Sequence, residues 1–223
     1  MIARHRYRNR TEAGRLLAEH VLHLKTQPDR LVLGIPRGGV VVAAPVARAL
    51  SAPLDVLPAR KLGAPGNPEL AIGAVAGDMV YVDYALVAQL GITRGYVESE
   101  LKRQRELSQR QARLLRGDRP LPIIAGKTIV LVDDGIATGA TVHAALQALR
   151  LQEPRRLVVA VPVGPADSLD RLAEVADEVI CPLRPAVFWA VGSFYDEFNQ
   201  VSDEEVIAVL SEFVSPSPPP AEV

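Results

Sequence analysis

The sequence predicts an α/β fold, an open parallel sheet flanked by helices. Three observations carry that reading. Short apolar runs at 31–36, 54–58, 129–132, 156–163 and 178–182 alternate with helix-length segments, the order that builds parallel sheets covered on both faces. Two of these runs lead through glycine-bearing turns into helices, at Arg37-Gly38-Gly39 and at Gly135 to Thr141. The 223 residues, 48% of them apolar, suit one α/β domain with a small appendage, or at most two small domains.

Composition excludes several classes. Lys+Arg total 25 against 26 Asp+Glu, which gives no sign of a nucleic-acid partner. The single cysteine, Cys181, rules out an internal disulfide and suits a reducing, cytoplasmic setting. It lies in an apolar strand-like run and reads as a buried structural thiol. No apolar run approaches the roughly twenty residues of a membrane span, and the basic start lacks a secretory apolar core. His5, His20 and His23 form no metal spacing with carboxylates.

Each element has a local reason. Residues 11–25 place Ala13, Leu16, Leu17, Val21 and Leu24 on one helical face, with Asn9 or Thr11 as the cap. A first core strand at 31–36, a helix at 40–50 and a strand at 54–58 follow. The stretch 59–70, with Gly63, Pro65, Gly66 and Pro68, reads as a long mobile loop. Residues 72–76 and 79–83 read as a hairpin turned at Gly77-Asp78. A helical insertion at 84–117 comprises helices at 84–90 and 93–116. Glu98, Glu100 and Glu106 interleave with its arginines, which favours a solvated face or a homodimer contact over RNA binding. Gly126-Lys127-Thr128 ends like a Walker A loop, but Leu121 stands where its first glycine belongs and a strand follows. The pattern continues with helices at 142–151 and 166–176. A last helix at 202–214 has Ser202 and Glu205 in capping-box spacing. The Pro/Ser-rich end, 215–223, reads as a disordered tail.

The chemistry concentrates in Thr128 to Thr141, TIVLVDDGIATGAT. Small residues at Gly135, Ala137, Gly139 and Ala140 let backbone amides approach an anion. The following helix N-terminus favours a phosphate, and Thr138 and Thr141 add hydroxyls. Ionised carboxylates accept hydrogen bonds only, so Asp133 and Asp134 suit sugar hydroxyls beside that phosphate. The combination describes a ribose 5-phosphate site. Arg37-Gly38-Gly39 suits a polyanion, through close backbone approach and a guanidinium.

This stretch resembles the PRPP-binding signature of the type I phosphoribosyltransferases: apolar strand, acidic pair, Gly/Thr-rich loop, helix. With GIPRGG early and FYDEF late, the chain is most similar to the uncharacterised "predicted phosphoribosyltransferase" subgroup, up to about Gln200. The resemblance implies a single domain over 1–214, with a core at about 28–183 and a small C-terminal hood at about 184–200 joined by the N-terminal segment. It implies transfer of 5-phosphoribosyl from PRPP to a nitrogenous base with release of pyrophosphate, in nucleotide salvage and with Mg²⁺. Arg37, Lys61, Asp133 and Asp134 would then be catalytic. Gly38, Gly39 and Arg60 would meet pyrophosphate, and Gly135, Ile136, Ala137, Thr138, Gly139, Ala140 and Thr141 the 5-phosphate. Trp189 would stack on the base and Asp196 would bind the metal. The flexible loop of the family, here 59–70, would close over the reacting centre, and a non-proline cis bond is expected near Arg37–Gly38. Two departures weaken the acceptor half. Ala137 replaces the loop Asp of 6-oxopurine enzymes, and Val161-Pro162-Val163 carries no base-reading Lys. A PRPP- or nucleotide-binding regulator without catalysis is therefore the alternative.

Overall fold

A computed structural model describes residues 6–213; the tail expected at 215–223 lies outside them. In chain order the elements are α1 (Arg10–His20), β1 (Arg30–Gly34), α2 (Gly38–Leu50), β2 (Leu54–Val56), β3 (Ala59–Ala64), β4 (Asn67–Ala76), β5 (Met79–Val82), α3 (Tyr84–Gln89), α4 (Arg94–Arg116), β6 (Thr128–Val132), α5 (Ala140–Arg150), β7 (Arg156–Ala160), α6 (Ala166–Ala173), β8 (Glu178–Ile180) and α7 (Asp203–Ser211). Side chains cap α1, α3, α4 and α7. Asn9 accepts from the Glu12 amide at the start of α1, and Ser202 and Glu205 complete a capping box on α7. The first helix is shorter than its periodicity implied, because the chain tightens into a 3₁₀ turn at Leu22–Thr26.

The main sheet is parallel throughout, in the order β2-β1-β6-β7-β8. Alternation along the strands divides its core in two. Val32, Val130, Val132 and Val158 pack on the face covered by α1, α2 and α7, whereas Leu31, Leu33, Ile129, Leu131, Leu157 and Val159 pack beneath α5 and α6. The chain after β1 therefore leaves toward one face and the chain after β6 toward the other. These are neighbouring strands, so a crevice opens between their C-terminal ends, the place where open α/β sheets bind ligands.

The loop expected at 59–70 is instead ordered strand. β3 and β4 form an antiparallel pair, and β5 completes a second sheet of three strands. The glycines and prolines that read as breakers occupy its irregular positions. Gly66 turns the hairpin at φ 75°, and the register shifts on either side of Gly63. A Cβ on Gly63 would lie 2.8 Å from Pro68 Cα, so the close approach at this bulge requires glycine. One face of this sheet, through Leu62, Ile72 and Val75, buries against α3 and α4.

A buried ion pair fixes the far end of α4. Arg116 Nε donates to Asp55 Oδ1 at 2.9 Å, and both side chains are under one-tenth exposed. Arg116 also donates to the Val56 carbonyl, so one guanidinium ties the insertion to edge strand β2. No helix among the described residues is long and apolar enough to cross a membrane. Removing one partner of a buried pair leaves an uncompensated charge. Arg116→Met should thus cost about 3–5 kcal/mol in denaturant unfolding, and Asp55→Leu added to it should recover most of that. A loss under about 1 kcal/mol would mean the pair contributes as little as an exposed one.

Candidate active site

Two strand-to-helix corners build the site. At the first, Gly34 ends β1, Ile35 donates its amide to the Val132 carbonyl at 2.9 Å, and a cis peptide joins Pro36 to Arg37, one bond earlier than expected. α2 then starts at Gly38. At the second, β6 ends at Val132, and Asp133 and Asp134 lead into residues 135–139 before α5.

The glycines let these corners touch. A Cβ on Gly38 would lie 1.9 Å from Asp134 Oδ2, and one on Gly39 would lie 2.8 Å from the Val132 carbonyl oxygen. A Cβ on Gly135 would lie 2.5 Å from Val191 Cγ1 of the hood. Any side chain at these positions would part the acids from the first corner or lift the hood.

The second corner presents amides because its carbonyls are held from behind. Ser168 Oγ donates to the Ala137 carbonyl at 2.7 Å, and Arg171 Nη2 donates to the Thr138 carbonyl at 3.2 Å. Gly139, at φ 72°, is the N-cap of α5 and supplies no capping side chain. The amides of Thr141 and Val142 therefore lack a side-chain acceptor, and the Ala140 amide has only Thr138 Oγ1 at 3.4 Å. Thr138 is exposed and Thr141 half-buried. Ile136 differs from its expected role. Its amide is committed to the Val163 carbonyl at 2.9 Å and its side chain is buried, so it anchors the corner and offers no free N–H.

Each acid has one oxygen engaged and, among the described residues, one without a hydrogen-bond donor. Asp133 Oδ1 accepts from the Asp134 amide at 2.8 Å, and Asp134 Oδ2 accepts from Arg10 Nε at 2.7 Å. Carboxylate oxygens on two consecutive residues are the acceptors that a vicinal diol needs. Burial pushes the Asp133 carboxyl well above the usual range, and the Asp134 charge pushes in the same direction. Burial raises Asp134 as well, but the Arg10 guanidinium opposes that rise. Arg10 carried no sequence signal of its own, being one arginine in a basic N-terminal run.

The hood is a small aromatic core. Tyr7 and Tyr195 lie 5.6 Å apart and Phe188 stacks on Phe194 at 5.1 Å. Tyr195 Oη donates to the Asp134 carbonyl at 2.5 Å, and Tyr7 Oη to the Pro162 carbonyl at 2.8 Å. Trp189 stands apart from that core, 87% exposed. Asp196 is exposed, its backbone amide pinned to the Tyr7 carbonyl. Among the described residues no group of three or more His, Cys, Asp and Glu side chains could hold a metal.

The basic residues are dispersed. Arg37 Nη1 lies 3.8 Å from Asp203 at the start of α7. Lys61 pairs with Glu69 at 2.8 Å, while Arg60 reaches Gln111 of α4 at 3.1 Å. Strand alternation points Arg60 toward α4 and Lys61 toward Glu69, so the two approach from different sides of β3. Both line a cavity of about 450 Å³ that extends to Thr141, with Tyr96 and Glu100 on its α4 wall.

The electrostatics of the acid pair can be tested without a ligand. Asp133→Asn keeps an acceptor for the Asp134 amide and removes one crowded charge. A carboxyl raised by folding costs stability as pH rises above its unfolded value, about 4. The variant should lack that loss and melt higher at pH 7, by about 2–4 °C per kcal/mol relieved. An unchanged pH dependence of melting would contradict this.

A family model described as "Phosphoribosyl transferase domain" matches residues 7–199. Two proteins of Mycobacterium tuberculosis, from strains CDC 1551 / Oshkosh and ATCC 25618 / H37Rv, are each 47% identical over 204 residues, 91% of this chain and 46% of theirs. Both bear the name "Putative phosphoribosyl transferase". The chain thus spans about half the length of the curated relatives it matches. The crystal structure of TT1426 from Thermus thermophilus is 46% identical, with a TM-score of 0.85 over 94% of this chain and 100% of that one. The chain belongs to the phosphoribosyl transferase domain family, and its helix-flanked parallel sheet is the type I phosphoribosyltransferase fold.

Proposed function

We propose that the chain transfers the 5-phosphoribosyl group of PRPP to a nitrogenous base and releases pyrophosphate, as in nucleotide salvage. One observation carries the reading: an amide-lined corner at 135–141 adjoins two carboxylates that each keep a free oxygen. The corner takes the 5-phosphate, with hydroxyls from Thr138 and Thr141, and supplies binding energy remote from the reacting atom. Asp133 and Asp134 hold the ribose hydroxyls. As the bond from C1 to pyrophosphate breaks, positive charge develops on the sugar, and the two acids favour it. A base nitrogen then bonds to C1. Arg37 and Lys61 neutralise the departing pyrophosphate, and Arg60, which lines the same cavity as Lys61 and is held by Gln111, meets it from the α4 side.

A pyrophosphate leaving group calls for a hard cation, and Mg²⁺ binds through few carboxylates plus substrate oxygens. The exposed carboxylate of Asp196 fits a cation held mainly by substrate oxygens. Mg²⁺ would supply neutralisation of phosphate charge there.

A second reading has its own support. The loop after β7, residues 161–165, carries no charged or hydrogen-bonding side chain to read an acceptor base. Val161 and Val163 are fully buried, the Pro162 carbonyl is taken by Tyr7 and Leu183, and the Val163 carbonyl by Ile136. A protein that binds PRPP or a nucleotide without transferring it would tolerate such a loop. Exposed Trp189 favours the transferase, since a free aromatic face can stack on any base.

Incubation with PRPP, Mg²⁺ and a panel of purines and pyrimidines should release pyrophosphate with at least one base. PRPP binding without release from any base would favour the regulator. Trp189 is the single tryptophan, so its fluorescence reports the hood directly. A nucleoside monophosphate should quench it, inorganic phosphate should not, and equal responses would remove the base from the hood. Thr141→Val should weaken PRPP binding about tenfold, the worth of one hydrogen bond to a charged group.

A further inference from the structure

We propose that Arg10 is a positioning residue for the pentose end of the site, setting the Asp134 carboxylate so that its free oxygen faces the sugar. The inference rests on the reading of the acid pair as a ribose holder and adds a residue to it from outside the 135–141 corner.

Arg10 is held on three sides. Its Nε donates to Asp134 Oδ2 at 2.7 Å, its Nη1 donates to the Asn199 carbonyl at 2.7 Å, and its guanidinium carbon lies 3.8 Å from the centre of the Phe198 ring. The Arg10 and Asp134 side chains are only 12% and 17% exposed, so solvent screens the pair little. Gly38 closes the remaining side: a Cβ there would meet Arg10 Nε at 2.6 Å as well as the Asp134 carboxylate.

This geometry solves a problem that the acid pair creates. Two adjacent carboxylates repel, and a lone Asp134 side chain could rotate its charge away from Asp133 toward solvent. Arg10 removes that freedom by engaging one oxygen in a fixed direction, which leaves the other as the acceptor. A planar guanidinium suits the task, because it donates to Asp134 and Asn199 from different nitrogens while stacking on Phe198. A lysine has the charge but neither the fork nor the plane. Arg10 is also the first residue of α1, and Asn199 and Phe198 close the hood. The N-terminal helix and the hood are thus fastened to the acid that would hold the sugar.

The test separates the pentose end from the phosphate end. Titration calorimetry would compare ribose 5-phosphate with inorganic phosphate on the wild type, Arg10→Met, Arg10→Lys and Phe198→Leu, with melting temperatures recorded for each. Arg10→Met should bind ribose 5-phosphate about 10–100-fold more weakly, the range for losing a hydrogen bond to a charged group. Its affinity for inorganic phosphate should stay within about twofold, because the corner amides remain. Arg10→Lys and Phe198→Leu should show smaller losses of the same selectivity. They decide the matter if Arg10→Met does not fold. Unchanged binding of ribose 5-phosphate, or equal loss of both ligands, would overturn the proposal. A wild type that binds phosphate but gains nothing from the ribose would instead overturn the pentose reading itself, and the role of Arg10 with it.

Discussion

Two like charges side by side in a half-buried corner are the constraint around which this molecule is arranged. Asp133 and Asp134 end a central strand where burial opposes ionisation of both. The surroundings answer from every direction: the Asp134 amide on Asp133, Arg10 on Asp134, and Tyr195 on the Asp134 carbonyl. Gly38 and Gly39 admit these contacts by having no side chain. A core without function would replace such a pair with apolar residues at no loss of stability. Retaining it makes sense where the two charges act on something that enters the crevice.

The sheet topology explains why that crevice lies there. Neighbouring strands β1 and β6 send their connections to opposite faces, so neither connection crosses their shared end. The amide corner, the acids and the Arg37 loop all face this gap because they are the strand ends themselves. The hood then adds what the sheet cannot, an aromatic lid fastened through Tyr7, Tyr195 and Arg10.

Much of this was legible in the sequence, for local reasons. Buried parallel strands read as apolar runs, and Thr128 to Thr141 keeps strand, acids and loop contiguous. The hairpin at 59–70 was not legible, because Gly63 and Pro68 act at a bulge, which in sequence looks like a loop. The opposed directions of Arg60 and Lys61 follow from that strand and were hidden with it. Ile136 misled differently. A corner residue counted among the amide donors proved to be the buried anchor, a distinction set by the Val163 carbonyl 27 positions away. Arg10, Ser168 and Arg171 act across the fold, and no local pattern marks them.

The most direct measurement is a crystal structure of the protein with ribose 5-phosphate bound. The phosphate should sit within hydrogen-bond reach of the amides between Ala137 and Val142, with ring hydroxyls on the free oxygens of Asp133 and Asp134. A phosphosugar bound elsewhere, or one at this corner with its ring turned away from both acids, would contradict the account.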